Sequence, residues 1–114
     1  MDFEMKKDGS GSIDIFEISG KLDVNGSQQA QEAIVPAIPK DGKLIIDMTN
    51  VDYVASSGLR ILLILAKQSQ ILGCKTVIAG VQPLVWDVIV MTGFEDVLES
   101  YPSQADALAA LKNE

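Results

Sequence analysis

The most constraining feature of this sequence is a change of hydrophobic pattern across one short polar segment. Lys43-Leu44-Ile45-Ile46-Asp47-Met48 is a compact β-rich run, and Ile61-Leu62-Leu63-Ile64-Leu65-Ala66 opens a strongly apolar helix. Between them lies Val51-Asp52-Tyr53-Val54-Ala55-Ser56-Ser57-Gly58-Leu59-Arg60. A buried strand that descends into a polar turn and gives way to a core helix is the repeating unit of α/β folds. The hydroxyls of Ser56 and Ser57 fall at the junction, where the unpaired N–H groups of a helix start favour an anion. This junction reads as the working end of the molecule.

The remaining elements follow from periodicity and punctuation. Phe3 to Lys6 reads as a short strand, Asp8-Gly9-Ser10-Gly11 as a turn, and Ser12 to Ile18 as a second strand, the two forming a hairpin. Phe16 breaks the alternation of Ile13, Ile15 and Ile18, so both faces of that strand are expected to be partly covered. Gly20 to Gly26 reads as a turn-rich passage into a helix capped by Asn25 or Ser27, with Ala30, Ala33, Ile34 and Ala37 as its apolar stripe. Pro36 and Pro39 mark the end of that helix.

The helix after Ser57 is predicted to reach Leu72, with Gly73 as its C-terminal cap. Leu59, Leu62, Leu63, Ala66, Ser69 and Gln70 form one side of it, with Leu65 nearby. Ile61, Ile64 and Ile71 point away from that stripe. Either a neighbouring element covers them, or they form a docking surface beside the serine turn. Lys75 to Ala79 is a short strand, and Pro83 fits the first turn of a helix from about Gln82 to Thr92. Val85, Val88, Ile89 and Thr92 make its inner face, which turns Trp86 and Val90 outwards, either to pack at the edge of the core or to touch a second subunit or partner. Val97 to Ser100 reads as a last edge strand. Ser103, with Asp106 three residues on, caps a terminal helix carrying Ala107, Leu108 and Leu111. The order is ββαβαβαβα: an α/β fold with a mixed sheet of four to five strands and four helices, residues 1–114 forming one domain.

Composition narrows the chemistry. Nine Lys plus Arg against sixteen Asp plus Glu give a formal charge of −7, which argues against nucleic acid and against anionic membrane surfaces. No apolar run is long enough to span a bilayer, so direct membrane insertion is not expected, and Met1-Asp2-Phe3-Glu4 is unlike a signal peptide. Cys74 is the only cysteine, which excludes an intrachain disulfide and fits a reducing, cytoplasmic setting. The absence of histidine removes Ser–His–Asp and Cys–His catalysis and argues against a zinc site. Asp23, Asp47 and Asp52 are candidates to gather at one end of the sheet, with only weak support for a divalent metal. No cofactor, no metal and no catalytic residue are assigned.

At the serine turn the plain structural expectation is that Ser56 or Ser57 caps the helix, worth about 1 kcal/mol, with Gly58 allowing close packing. A hydroxyl in that position can also receive phosphate. Phosphorylation adds about −1.5 to −2 charge, which a helix start tolerates but which changes an opposing surface abruptly.

Four segments in this order, Ile18-Ser19-Gly20-Lys21-Leu22-Asp23, Leu44-Ile45-Ile46-Asp47-Met48, Val54-Ala55-Ser56-Ser57-Gly58-Leu59 and Met91-Thr92-Gly93-Phe94, resemble the STAS family, in particular the bacterial anti-sigma factor antagonists. The resemblance covers nearly the whole chain and implies a mixed sheet with helices packed on it. It implies a binding module that is not an enzyme. The unphosphorylated protein would bind an anti-sigma factor kinase of the GHKL type and free a sigma factor. Phosphorylation of the first serine of the turn, here Ser56, would end binding, and a serine phosphatase would restore it. Asp23 matches an aspartate near that switch.

Partner contact is accordingly assigned to Asp23, Ser56, Ser57 and Gly58, with Ile61 and Ile64 added from helical periodicity. Trp86 and Val90 are candidates for a homodimer or a second contact. One position departs from the pattern: Ala55 stands where phosphorylatable members carry aspartate, which leaves open altered recognition or loss of phosphorylation. Two other readings stand beside this one. The first is a STAS scaffold or regulatory subunit of a signalling or transport complex without phosphorylation. The second is a small-anion or nucleotide-binding module using the N–H groups after Ser56.

Overall fold

A computed structural model describes residues 1–113. Its elements are β1 (Asp2–Lys7), β2 (Asp14–Leu22), α1 (Val24–Ile34) with a 3-10 turn at Val35–Ala37, β3 (Lys43–Val54), α2 (Ser56–Leu72), β4 (Lys75–Ala79), α3 (Pro83–Met91), β5 (Glu99–Tyr101) and α4 (Gln104–Lys112). The order is the ββαβαβαβα expected from the pattern. The five strands lie in one sheet in the order β1-β2-β3-β4-β5. β1 and β2 form an antiparallel hairpin, and the three later pairings are all parallel.

Parallel neighbours need a crossover, and each of the three crossovers here carries a helix. α1, α2 and α3 share one face, where Ala30, Ile34, Leu59, Leu62, Leu65, Val85 and Ile89 pack on Phe16, Ile18, Leu44, Ile46 and Ile78. α4 covers the other face, where Ala107 and Leu111 meet Ile13, Ile15, Ile45, Val77 and Ala79. This explains why Leu44-Ile45-Ile46 does not alternate: both faces of β3 are buried, and all three residues are fully so. Burying each such side chain contributes about 1.5–3 kcal/mol.

Three boundaries differ from the sequence reading, each for a local reason. β2 continues through Gly20 and Lys21 to Leu22, because register shifts after Glu17 and after Gly20 keep it paired with β3. β3 runs on through Val51 to Val54, so the segment read as a turn begins as strand and reduces to the single residue Ala55 before α2. Val51 and Val54 are buried there and pair with Gly20 and Leu22. The last strand is Glu99–Tyr101 rather than Val97–Ser100, because Val97 closes a turn by donating its N–H to the Phe94 carbonyl at 3.1 Å.

Candidate functional site

Two helices start side by side at the C-terminal ends of β2 and β3. α1 follows Leu22 with a single intervening residue, Asp23, which is the N-cap. Its Oδ1 accepts from the Gly26 N–H at 2.8 Å and its carbonyl from the Ser27 N–H at 2.8 Å. Asn25 and Ser27, expected as caps, lie inside the helix; the strand ends later than its sequence suggests and leaves Asp23 at the boundary. α2 follows Val54 with only Ala55 between, and Ala55 is its N-cap, extended and without a side-chain cap.

Neither Ser56 nor Ser57 therefore caps α2. They are its first two residues, and Gly58 and Leu59 donate the first helical hydrogen bonds to the Ala55 carbonyl at 2.9 and 3.1 Å. The N–H groups of Ser56 and Ser57 precede those bonds, where a helix leaves its donors unpaired. The Ser56 side chain is exposed and makes no hydrogen bond among the described residues. Ser57 is half-buried, and its hydroxyl is bonded to that of the buried Ser27 at 3.3 Å, tying the two helix starts together.

Glycine makes this closeness attainable. A Cβ on Gly26 would stand 2.0 Å from the Lys21 carbonyl oxygen, and one on Gly58 would stand 2.8 Å from both Leu22 Cβ and the Leu22 carbonyl oxygen. The same Leu22 carbonyl accepts from the Ala55 N–H at 2.9 Å. The end of β2, Gly58 and the N-cap of α2 are thus clamped together, and Ser56 is carried on the solvent side of the clamp.

Beside Ser56 is a shallow cavity of about 320 Å³ lined by Ser56, Leu59, Arg60, Leu63, Thr92 and Phe94. Arg60 lies one helical turn from Ser56, close enough for their side chains to meet. Across the same end of the sheet, Lys21 pairs with Asp52 at 3.4 Å and lies over the Tyr53 ring at 5.8 Å. Val24 and Tyr53 remain 72% and 49% exposed.

The other residues assigned from sequence fall in different environments. Ile61, which points away from the main stripe, is 5% exposed and belongs to the core: of the two readings the covered one holds, with α1 packed against α2. Ile64 is half-buried at the core margin, whereas Ile71 is exposed as periodicity indicated. Leu63 and Gln70, placed on the inner side, are half-buried and exposed respectively. Trp86 packs partly against the core, while Val90 is 44% exposed.

The three aspartates do not gather. Asp23 caps α1, Asp52 faces Lys21, and Asp47 accepts from the Thr49 hydroxyl at 2.6 Å and from Gln104 Nε2 at 2.7 Å. No group of three or more potential metal ligands occurs among the described residues. Gln104 also donates to Glu17 at 2.8 Å, and this bond, with Lys6 beside it, holds the Glu17 carboxyl below its usual range. Arg60, Leu63, Thr92 and Phe94 received no site role from the sequence; the Met91-Thr92-Gly93-Phe94 segment was the available signal, since two of its residues line the cavity.

The fold and this end of it define a class: an α/β domain with a mixed sheet that presents a serine-bearing helix start at the C-terminal end of a central strand. The STAS domain matches residues 4–107, and the chain belongs to that family. It is 26% identical over 96 residues to BtrV of Bordetella bronchiseptica, covering 83% of each chain. It is 28% identical over 97 residues to an anti-sigma-B factor antagonist of Listeria monocytogenes, covering 84% of each. Among solved structures, the anti-sigma factor antagonist SpoIIAA in its unphosphorylated form superposes with a TM-score of 0.75 at 18% identity, over 99% of this chain and 98% of that one. A substituted form of RsbS from Moorella thermoacetica gives 0.80 at 22%, over 97% and 95%. No helix among the described residues is long and apolar enough to cross a membrane.

Proposed function

We propose that this chain is a cytoplasmic anti-sigma factor antagonist, a binding module without catalysis of its own, switched by phosphorylation of Ser56. The observation that carries the reading is the exposed Ser56 hydroxyl, free of hydrogen bonds at the first position of α2. Sequence relatives of the anti-sigma factor antagonist kind support it. Unmodified, the surface of Asp23, Ser56 and the cavity beside it engages an anti-sigma factor kinase of the GHKL type and so releases a sigma factor. Ser57 and Gly58 hold the helix start in place; Ile64 borders the surface, and Ile61 supports it from within.

Phosphate on Ser56 meets the positive end of α2 and the Arg60 guanidinium, each favourable to it, so the domain stays folded. The same charge faces outwards onto a partner that had met a neutral hydroxyl, and the complex comes apart. A serine phosphatase reverses the change. Ala55 supports a second reading, in which the turn is recognised without being phosphorylated and the chain serves as a scaffold subunit.

Incubation with anti-sigma factor kinases of the source cell and ATP, followed by mass spectrometric mapping, tests both. The switch requires phosphate on Ser56, its absence in Ser56→Ala, and weakened kinase binding in Ser56→Asp. Tight binding with no phosphate on Ser56 selects the scaffold, and absence of binding to every such kinase overturns the proposal.

A further inference from the structure

The sheet has an open edge guarded only by charge. β1 pairs only with β2 among the described residues, so alternate N–H and C=O groups along Asp2–Lys7 point outwards without a strand to receive them. Such edges are blunted by a bulge, a proline, short length or charged side chains; β1 is six residues long, pairs with β2 in uninterrupted register and contains no proline, so its one guard is the charge of Asp2, Glu4, Lys6 and Lys7, which admits only a partner strand of matching charge. At its middle it exposes Met5, 45% accessible, between Glu4 and Lys6.

We propose that two copies of this chain associate through β1, edge to edge and antiparallel about a two-fold axis at Met5, to form one continuous sheet. The register follows from charge. Successive residues of a strand aim their backbone groups to opposite sides, so a two-fold pair must set residues of the same parity opposite one another. With Glu4 on the axis, two carboxylates face each other. With Lys6 on the axis, two ammonium groups do. With Met5 on the axis, the two Met5 side chains meet, Glu4 of each copy faces Lys6 of the other, and Phe3 faces Lys7. Only this arrangement opposes no like charges within the strand.

Lys6 already pairs with Glu17 of its own chain at 2.9 Å, so its ammonium is held at the sheet surface where a second carboxylate reaches it. No β1 residue lines the cavity beside Ser56, and the proposal is independent of the function assigned to that site. A six-residue strand pair is small beside the roughly 1,200–2,000 Å² of stable interfaces, so the association is reversible and concentration-dependent.

Sedimentation equilibrium of the full chain, from micromolar to millimolar concentration, tests the proposal together with Glu4→Lys and Lys6→Glu. The parent is expected to follow a monomer–dimer equilibrium. Each variant alone opposes like charges at both crossings, and its dissociation constant rises at least about fivefold. An equimolar mixture restores two opposite-charge crossings and regains the parent affinity. Should Lys6→Glu fail to fold, amide exchange on the parent decides, because exchange within β1 must slow as concentration rises. A monomer at every concentration overturns the proposal. So does a dimer indifferent to Glu4→Lys, a mixture no tighter than its parts, or β1 exchange that ignores concentration.

Discussion

Replacement of Gly58 by alanine sets two known effects against each other, and the structure decides between them. Gly58 is the third residue of α2, and at an ordinary helical position alanine is favoured over glycine by about 1 kcal/mol. Here the new methyl would lie 2.8 Å from Leu22 Cβ, 2.8 Å from the Leu22 carbonyl oxygen and 3.0 Å from Val54 Cγ1. Comfortable carbon–carbon contact begins at about 3.5 Å. Leu22 cannot retreat cheaply, since it is 1% exposed and its carbonyl holds the Ala55 N–H. Overpacking of this kind costs about 1–3 kcal/mol, and disturbing the Leu22–Ala55 hydrogen bond adds about 1 kcal/mol.

Subtracting the helical gain leaves a net loss of about 1–3 kcal/mol, or a fall in Tm of roughly 4–13 °C for a chain of this size. Urea unfolding followed by circular dichroism, with Trp86 as the single tryptophan reporter, measures it. Gly9→Ala is the control: a Cβ there meets nothing within 4 Å, and its stability should stay within about 0.5 kcal/mol of the parent. A Gly58→Ala protein as stable as the parent, or more stable, would refute the idea that close approach selects glycine at this junction.

Asp23→Ala should lose about 1 kcal/mol through the missing cap, whereas Asp23→Asn, which keeps an oxygen for the Gly26 N–H, should lose only a few tenths. Equal losses in thermal melts would contradict the capping assignment. Ile61→Ala opens a cavity in the core and should cost about 2–4 kcal/mol, while Ile71→Ala, at a position 75% exposed, should fall within about 0.5 kcal/mol; equivalent denaturation midpoints would show that the burial assigned to α2 is wrong. Acid stability should depend on Asp8. Its buried carboxylate accepts from the Ser10 hydroxyl and from the N–H groups of Ile13 and Ser12, which hold it below the usual aspartate range, Ser10 contributing most. A folded carboxyl more acidic than its unfolded counterpart stabilises fully above the unfolded pKa of about 4 and progressively less as pH falls through the folded value. Stability measured against pH should therefore decline less steeply below about pH 4 in Asp8→Asn than in the parent; parallel curves would count against it.

Elements set by hydrophobic period were legible in the sequence, and boundaries set by tertiary contact were not. The 17 residues of α2 and its glycine cap could be read because apolar spacing and Gly73, at φ +71°, act locally. The extension of β3 to Val54 could not, because Asn50 and Asp52 look like turn residues until β2 lies alongside and pairs with Asn50, Val51, Tyr53 and Val54. The same contact moved the cap of α1 to Asp23 and left α2 without a side-chain cap. Ile61 was left between two readings for a related reason: periodicity ranks the faces of a helix, but whether a flank is covered depends on α1, whose position the helix itself does not encode. Ser56 was located through its motif, and its neighbours Thr92 and Phe94 come from a distant segment that only the fold brings to it.

Among the described residues, the far side of the sheet has a single roof. Ile13, Ile15, Ile45, Val77 and Ala79 have α4 as their helical cover, and its buried anchors Ala107 and Leu111 follow every strand of the sheet in chain order. As the domain leaves the ribosome, the other face can already close with α1 to α3, while this oily surface waits uncovered for α4. Partially made copies crowded on one messenger would meet through it, so the dangerous interval in the life of this domain falls just before its last helix emerges.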